Sequence, residues 1–339
     1  MKKSLTAILL ALGIQSFAQT GGLNTYAFLS LPANTRVAAL GGVLVSHPQA
    51  DVQMLLSNPA LLSAENHQQL GFTYLGLPAS MGQSTVAYAH QIREGQMLGL
   101  GIQYLNFGDF EAFDDTGNSL GTFDAAAYQL AGSYAHQLGN FRMGASLKWV
   151  QTRLGTYGSS ALLTDIGATF VHPEKSLQVG LVIKNMGVQL TQFSETNLRE
   201  ELPMDVQLGI TFKPEYMPFR FSFTTYRWIR SGSLQENEGG TTQSAGTFDQ
   251  IMSHLAIGTE LLLNKNFHVR AGYNHQLRYE LGLPESRGAA GFSLGFMLRV
   301  KAFELSYSRQ IYNQAGAGNW LGVQIALSSV FKKSETTNE

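Results

Sequence analysis

One short segment of the chain matches a sequence pattern found in hydrolytic enzymes. Residues 291–295 read GFSLG, which fits Gly-x-Ser-x-Gly with Ser293 as the candidate nucleophile. In such enzymes the serine lies on a sharp turn between a strand and a helix, and the turn exposes its hydroxyl group. Ser293 instead lies in an alternating apolar and polar run that predicts a strand with no turn on either side. The sequence therefore argues against catalysis by Ser293 and predicts no catalytic residue.

Patterns for nucleotide and metal binding are incomplete. Gly99 and Gly101 lie in GLGIQY, which lacks the third glycine of a nucleotide-binding loop and any helix after it. The chain has no cysteine and no His-Glu-x-x-His motif, and His268 and His275 fall on opposite faces of a predicted strand. The formal net charge of −1 lacks the basic footprint of nucleic-acid binding. We therefore predict no cofactor, no metal site and no nucleic-acid partner.

The first residues predict export from the cytoplasm. Lys2 and Lys3 precede an apolar run, and the small residue Ala18 precedes Gln19. This order is that of a bacterial secretory signal, so residues 1–18 are predicted to be a signal peptide. No later run reaches the ~18 consecutive apolar residues of a transmembrane helix candidate. The remaining alternatives are a periplasmic protein, a secreted protein and an outer-membrane β-barrel.

The rest of the chain alternates with the period of β-strands. Each alternating run covers about 9–11 residues, the length that a tilted strand needs to cross a membrane. A soluble β-sandwich also alternates, but its polar face meets bulk water and accepts any large polar residue. Here the polar face is rich in Gly, Ser, Gln and Thr, as expected of a crowded barrel interior. The run FRMGASLKWVQT sets Phe141, Met143, Ala145, Leu147 and Trp149 against Arg142, Gly144, Ser146 and Lys148.

About fourteen strands are predicted, an even number as in bacterial single-chain barrels. The segment PFRFSFTTYRW changes parity around Thr224, which indicates a bulge or a misread strand end. A girdle of aromatic residues is predicted near strand ends, formed by Tyr134, Phe141, Trp149, Tyr273, Trp320 and Phe331. The strands are predicted to begin near residues 68, 84, 96, 126, 141, 161, 176, 203, 218, 250, 266, 289, 301 and 318.

The connections alternate between short and long. Those after even-numbered strands are short, and most of those after odd-numbered strands are long. Membrane barrels have short periplasmic turns and longer outer loops, so both termini are predicted to be periplasmic. The predicted barrel occupies residues 68–331, and a polar tail occupies 332–339. The long connections are 108–125, 186–202, 230–250 and 277–288.

Residues 19–67 do not alternate over a membrane-spanning length. They contain Gly41-Gly42, which tolerate positive φ, and Asn58-Pro59, a helix cap followed by a favoured first helical residue. A barrel of about fourteen strands has a lumen wider than its own side chains fill, so this segment is predicted to be a luminal plug. Buried charges need partners, so ion pairs are predicted between the plug and the wall. The residues proposed for them are Arg36, Arg142, Lys148, Lys184, Asp205 and Arg270.

The segments FLSLPANTRVAALGG and DVQMLLSNPALLS resemble the amino-terminal signature of the FadL-like outer-membrane superfamily. Its elements here are Arg36, Gly41, Gly42, Asn58 and Pro59. Within the superfamily, the stretch GGLNTYAFLSLPANTRVAALGG is most similar to PorQ-type proteins of the type IX secretion system of Bacteroidota. The strand number of the family, fourteen, also guided the count above. Ala39-Leu40 departs from the common Gly-Met, which weakens any carry-over of ligand gating.

The resemblance implies a non-enzymatic component of a cell-surface attachment complex. Such a protein holds a PorZ-like surface protein near the PorU sortase and the PorV barrel, so that cargo is joined to anionic lipopolysaccharide. A partner-docking role or a plain solvated loop is expected for 108–125, where aromatic and acidic residues alternate. The alternative function is a FadL-like transporter of hydrophobic ligands. The candidate docking residues are Asp109, Phe110, Glu111, Phe113, Asp114, Asp115 and Phe123.

Overall fold

The computed structural model describes residues 26–193, 201–229, 235–238, 241–244, 246–281, 288–313 and 316–330. The predicted signal peptide, residues 19–25 of the predicted plug, Phe331 and the polar tail lie outside these residues. None of the helices in the described residues is long and apolar enough to cross a membrane.

Fourteen antiparallel strands form a closed barrel, which confirms the predicted fold class and strand number. Strand β1 pairs with β16 and closes the wall. Strands β10 (Gln235–Glu238) and β11 (Thr241–Ser244) form a separate hairpin between β9 and β12. The wall consists of β1 (Gln69–Gly76), β2 (Gly82–Arg93), β3 (Gln96–Phe113), β4 (Ser119–Leu138), β5 (Phe141–Leu154), β6 (Tyr157–Val171), β7 (Leu177–Thr191), β8 (Asp205–Phe212), β9 (Phe219–Thr225), β12 (Leu255–Leu262), β13 (Phe267–Asn274), β14 (Phe292–Val300), β15 (Phe303–Ile311) and β16 (Ala317–Ala326).

Alternation along each strand separates an apolar outer face from a polar inner face. In β5, Leu147 is 57% exposed, whereas the next residue, Lys148, is 2% exposed. Large apolar side chains cover the outside of the barrel, including Leu100, Phe296 and Leu321. This inversion of the soluble pattern is that of a membrane-type barrel, whose outer face meets hydrocarbon.

Trp320 corrects the predicted aromatic girdle. Its side chain is fully buried in the lumen, and its indole N–H donates to the carbonyl oxygen of Pro32 at 3.1 Å. Its neighbour on the inner face, Gly318, leaves room for the indole. Tyr134, Phe141 and Trp149 are exposed on the outer face, as predicted.

The structure decides between two alternatives at one connection and corrects the prediction at another. Strand β9 ends at Thr225 and has no register shift against β8 or β12, so the parity change near Thr224 marks a strand end and not a bulge. Most of the predicted loop 108–125 is strand, because β3 and β4 continue until only residues 114–118 form the turn. Short polar and glycine-rich runs hide the alternation of such strand extensions.

Residues 26–67, hereafter the inner segment, pack against inward-facing side chains of the wall. They form a short helix (Thr35–Ala39) and 3-10 turns at Ala27–Ser30, Val52–Leu56, Pro59–Leu61 and Ala64–Asn66. Side chains of Asn34, Asp51 and Asn58 accept backbone N–H groups at three of these starts. Each cap satisfies a donor that the surrounding wall leaves without water.

Candidate functional site

Glycines of the wall let the inner segment approach its backbone. An added Cβ at Gly144 would lie 2.5 Å from the carbonyl carbon of Pro59, and one at Gly167 would lie 1.9 Å from Oδ1 of Asn58. Cβ atoms at Gly99 and Gly101 would meet leucine side chains of the inner segment within 3.0 Å. A side chain at Gly144 would overlap the backbone of the inner segment, and one at Gly167 would overlap Asn58. At Gly99 and Gly101 the leucine ends would have to shift, so close packing accounts for the glycines that resembled part of a nucleotide loop.

Asn58 and Pro59 lie at the centre of this contact. Oδ1 of Asn58 accepts from the backbone N–H of Ala60 at 3.0 Å, and Nδ2 donates to the carbonyl of Val45 at 2.9 Å. Pro59 follows as the first residue of a 3-10 turn. The turn therefore joins two parts of the inner segment to the wall strands β5 and β6.

Gly41 and Gly42 turn the chain after the short helix. Both have positive φ, 95° and 85°, a conformation that favours glycine. The carbonyl of Gly41 accepts from Nδ2 of Asn274 at 2.8 Å, and its N–H donates to Oγ of Ser293 at 3.2 Å. The glycine pair thus attaches the turn to β13 and β14.

Ser293 is fixed by the backbone of the inner segment. Its hydroxyl donates to the carbonyl of Ala39 at 3.0 Å while it accepts from Gly41. The expected strand has a turn directly before it, ending at Gly291 (φ 83°), so the prediction of no turn on either side was wrong on one side. The strand continues after Ser293 without the helix of a nucleophile elbow.

Arg36 lies in a buried ionic cluster between the inner segment and the wall. Its guanidinium is 3.6 Å from Glu304 of β15 and 3.9 Å from Asp51 of the inner segment. A third carboxylate, Glu260 of β12, accepts from Arg220 and Arg270 at 2.7 Å each. Because all these groups are buried, each charge depends on its partners.

His47 links this cluster to the inner segment as a neutral ring. Its Nδ1 accepts the backbone N–H of Gln49 at 3.2 Å, so Nε2 carries the proton and donates to Glu260 at 2.9 Å. Burial is the largest cause that lowers the pKa of His47 to about 3, and the neighbouring guanidiniums act in the same direction against Glu260. His47 therefore contributes a hydrogen bond and not a charge.

The other wall charges do not pair with charges of the inner segment, contrary to the prediction. Arg142 donates to the carbonyl of Ala60 at 3.3 Å, and Lys184 donates to that of Leu56 at 3.1 Å. Lys148 and Arg270 pair within the wall, with Asp165 at 2.6 Å and with Glu260. Asp205 accepts from Gln207. The inner segment has few charged residues but many free carbonyl groups at its turns, and these carbonyls accept hydrogen bonds from the cationic side chains of the wall.

A cavity of about 710 Å³ lies between the inner segment, the wall and the loops at one end of the barrel. Its lining includes residues from the connections after β1, β7, β9, β13 and β15, which all lie at the same rim. Apolar residues of the inner segment and of these loops form much of the surface. Among them are Leu29, Leu31, Val37, Leu44, Leu56, Leu77, Met81, Leu277 and Leu281.

Two tyrosines at the rim add neutral hydroxyl groups to a cavity wall that also includes Lys148, Lys184 and Asp205. Burial raises the pKa of both Tyr226 and Tyr312. The hydroxyl of Tyr226 donates to Oδ1 of Asn274 at 2.7 Å. The hydroxyl of Tyr312 is buried without a hydrogen-bond partner in the described part of the chain. The cavity can therefore hold a mostly apolar molecule and offer it a few hydrogen-bonding groups.

Beside the cavity, buried apolar residues of the inner segment pack in clusters, and Val37, Leu44 and Leu56 of these clusters also line the cavity. Val37, Leu40, Leu44, Met54 and Leu61 form one buried apolar cluster. A second cluster joins Val52, Leu55, Leu56 and Leu62 to Ala87, Ala89, Met97, Ala131 and Ala135 of β2, β3 and β4.

The predicted docking residues lie on a ribbon that projects beyond the wall. The ladder between β2 and β3 ends at Gly82–Asn106, and that between β4 and β5 ends at Ala125–Leu154. Residues 109–113 and 119–124, hereafter the rim ribbon, therefore pair only with each other. Both backbone edges of the rim ribbon are without a strand partner in the described residues.

The two faces of the rim ribbon differ in chemistry. Phe110 stacks on Phe123 with ring centroids 5.5 Å apart, and Ala112 pairs with Gly121 on the same face. The opposite face carries Asp109, Glu111 and Asp124. Asp124 accepts from Arg153 at 2.8 Å. A strand pair with an aromatic face and two open edges offers both apolar contact and backbone pairing to a partner.

The turn of the rim ribbon is held by one carboxylate. Asp114 accepts from the backbone and side chains of Thr116 and Asn118. These hydrogen bonds, those from the two side chains first, lower the pKa of Asp114 to about 2. Asp115 lies in this turn, and Phe113, which directly precedes the turn, is exposed.

The histidines occupy separate places. His268 is buried on the inner face of β13. His275 is the first residue of the short helix His275–Leu281 and is not on a strand face, which corrects the parity assignment. No group of three or more His, Asp or Glu residues suited to a metal ion occurs in the described ranges.

Sequence reasoning missed Glu260, Glu304, His47 and the two rim tyrosines. Glu260 lies in LAIGTELL, where it looks like an ordinary inward residue of an alternating strand. Its three donors come from the inner segment and from β9 and β13, so only the folded wall brings them together. The available signal was that Arg220 and Arg270 occupy inward positions of their strands, where each buried guanidinium requires a carboxylate partner.

Comparison with solved structures places this barrel among FadL-like folds. No protein-family model and no curated protein matches the sequence. The toluene transporter TodX of Pseudomonas putida has a TM-score of 0.55 at 12% identity, over 87% of this chain and 96% of that one. The toluene transporter TbuX of Ralstonia pickettii has a TM-score of 0.55 at 11% identity, over 88% and 98%. These likenesses support the FadL-like fold.

Proposed function

We propose that this chain is a non-enzymatic outer-membrane barrel that takes up a small hydrophobic molecule through the cavity beneath its rim. The cavity of about 710 Å³ carries the proposal. It falls within the ~300–1,000 Å³ of typical small-molecule sites and has the mostly apolar lining that such sites share. The apolar outer face of the wall fits an outer-membrane location.

Two further observations support uptake of a hydrophobic molecule. The structures with the same fold include proteins described as toluene transporters. The rim loops supply Leu77, Leu277 and Leu281, so apolar surface continues from the cavity to the loops. Toluene is therefore the first probe to use.

Filling the cavity tests this proposal. Ala27 and Ser30 line the cavity and are exposed to it, so Ala27→Trp with Ser30→Trp occupies its space without entering a packed core. The matched control is Ser119→Trp on the exposed rim ribbon. We expect [14C]toluene uptake by cells that express the barrel to fall at least tenfold in the filled variant and to stay unchanged in the control. Equal uptake by the filled variant would contradict the proposal.

We also propose a second function, in which the barrel is a component of the type IX secretion attachment complex. Its support is the sequence resemblance together with the rim ribbon, which exposes aromatic residues and open strand edges where a partner has access. The ribbon would hold a PorZ-like surface protein, with the PorU sortase and the PorV barrel in the same complex. This proposal requires the long connections outside the cell and both termini in the periplasm.

Shortening the rim ribbon tests the second proposal. Deletion of residues 110–122 removes Phe110 and Phe113, leaves Phe123 without its stacking partner, and keeps the wall ladders intact, because those ladders end at Asn106 and Ala125. We expect affinity purification from outer membranes to recover the surface protein with the full chain and to lose it with the shortened chain. Recovery of no surface partner with the full chain would rule out the attachment role.

A further inference from the structure

A second exposed apolar surface lies at the rim, away from the rim ribbon. It consists of Trp228 and Ile229 after β9 and of Phe248 and Ile251 on the loop helix Thr247–Ser253. The exposed fractions are 60% for Trp228, 50% for Ile229, 70% for Phe248 and 65% for Ile251. Phe248 and Ile251 are three residues apart, so they lie on the same side of the helix. We call this set the rim patch.

Trp228 lies on the outer side of the wall. Its indole Nε1–H donates to Oγ1 of Thr225 at 3.2 Å. Thr225 follows Phe221 and Phe223 at alternate positions of β9, so it shares their outward face. The indole also stacks on His254, with ring centroids 6.3 Å apart. Trp228 therefore extends the outer face of β9 beyond the end of the strand.

The loop helix is attached to the same outer side. Phe248 contacts the ring of His275 edge-on at 6.3 Å, and Asp249 accepts from Nε2 of His275 at 2.9 Å. Nδ1 of His275 accepts a hydrogen bond from the hydroxyl of Tyr273 at 2.8 Å. Tyr273 is an outward residue of β13 and packs on Phe292, an exposed outward residue of β14, with centroids 4.9 Å apart.

Asp249 thus ties the helix to the protein, whereas Phe248 touches it only edge-on and both Phe248 and Ile251 remain mostly exposed. We infer that the rim patch lies in the membrane interface and contacts lipid. The patch continues the outward, lipid-facing surface of β9, β13 and β14, so it is expected to contact the same lipid. Aromatic residues with one polar atom favour the membrane–water boundary, and amphipathic helices bury their apolar side there. The loop helix is then a membrane-surface element on one flank of the barrel.

Because the chain contains no cysteine, a single introduced cysteine can be spin-labelled without removing any native thiol. Single variants Phe248→Cys and Ile251→Cys carry a nitroxide in barrels reconstituted in phosphatidylcholine nanodiscs. Leu294→Cys on the outward face of β14 is the lipid reference, and Asp115→Cys at the ribbon turn is the water reference. Heat-modifiable migration verifies that each variant has folded.

We expect both helix labels to collide more often with dissolved oxygen than with a water-soluble nickel complex, as at Leu294. Values like those at Asp115 would overturn the inference and leave the rim patch as a surface for a protein partner. Quenching of Trp228 by brominated phosphatidylcholine is an independent readout without a label. The difference in quenching between the native chain and Trp228→Phe must be positive, and no difference would overturn the inference as well.

Discussion

The inner segment and the rim ribbon differ in how far their side chains and backbone edges are occupied by partners. In the inner segment, Asn58 bonds to Ala60 and Val45 of the same segment and to the carbonyl of Leu181 on β7, and His47 bonds to Glu260 on β12. In the rim ribbon, the strands pair only with each other, and Phe110 and Phe113 remain exposed. The comparison indicates that the first region maintains the fold and that the second is free to interact.

Gly167→Val is expected to have the largest effect on the fold. The added side chain would overlap Oδ1 of Asn58, which an added Cβ already reaches at 1.9 Å. Asn58 is held by its hydrogen bonds to Ala60 and Val45, so its side chain can move aside only by losing them. We expect no heat-modifiable barrel in outer membranes. Gly132→Val is the matched control, because an added Cβ at Gly132 meets nothing within 4 Å. A folded barrel with Gly167→Val would show that the inner segment is displaceable.

Glu260→Ala is expected to have the second largest effect on the fold. It removes the acceptor of Arg220, Arg270 and His47, and two buried guanidiniums then lack their carboxylate. Breaking a buried charge pair on one side costs about 3–5 kcal/mol of the free energy of unfolding. Urea unfolding of barrels in lipid vesicles measures this change. The control Glu280→Ala breaks the exposed pair with Arg227 and is expected to cost below about 1 kcal/mol. Equal costs for both variants would contradict the role of the cluster.

Asn58→Ala follows with an intermediate effect. The variant loses the cap to Ala60 and the bond to the carbonyl of Val45, while Pro59 still sets the turn. Loss of a cap costs about 0.5–2 kcal/mol. The same unfolding measurement applies, with Asn118→Ala at the exposed ribbon turn as the control. A cost no larger than that of the control would mean that the cap contributes little.

Phe110→Ala with Phe123→Ala should have the smallest effect on stability. Both rings lie outside the wall ladders, so their removal leaves the barrel packing unchanged. We expect a change below about 0.5 kcal/mol, as for surface positions. Partner recovery in the affinity experiment should fall nonetheless if the second proposal holds. A loss of several kcal/mol would show that the rim ribbon is part of the structural core.

The fold followed from local patterns, since strand alternation and turn residues act over a few positions. Most strand starts could be predicted in this way, whereas the start of β4 and the loop helix could not. At β4 the run SLGTFDA is too polar and too rich in glycine to alternate clearly, and at residue 250 a helix precedes the strand. Trp320 was predictable in principle, because it shares parity with Gly318 and Gly322.

The candidate site was less accessible from the sequence. The cavity is bounded by residues as distant as Leu31, Tyr226 and Tyr312, and no local pattern records that they meet. The same holds for Glu260, whose donors come from three separate segments. The candidate docking residues form a group in the sequence because their acidic and aromatic types are adjacent in the chain, whereas their ribbon geometry could not be predicted.

The cavity and the ribbon can be separated in one measurement, the initial rate of [14C]toluene uptake by cells expressing each variant. We predict that Ala27→Trp with Ser30→Trp lowers the rate at least tenfold. Deletion of residues 110–122 should leave the rate unchanged, because the ribbon residues do not line the cavity. A native rate no higher than that of cells without the barrel, or equal rates in the native and cavity-filled chains, would contradict the proposed uptake function.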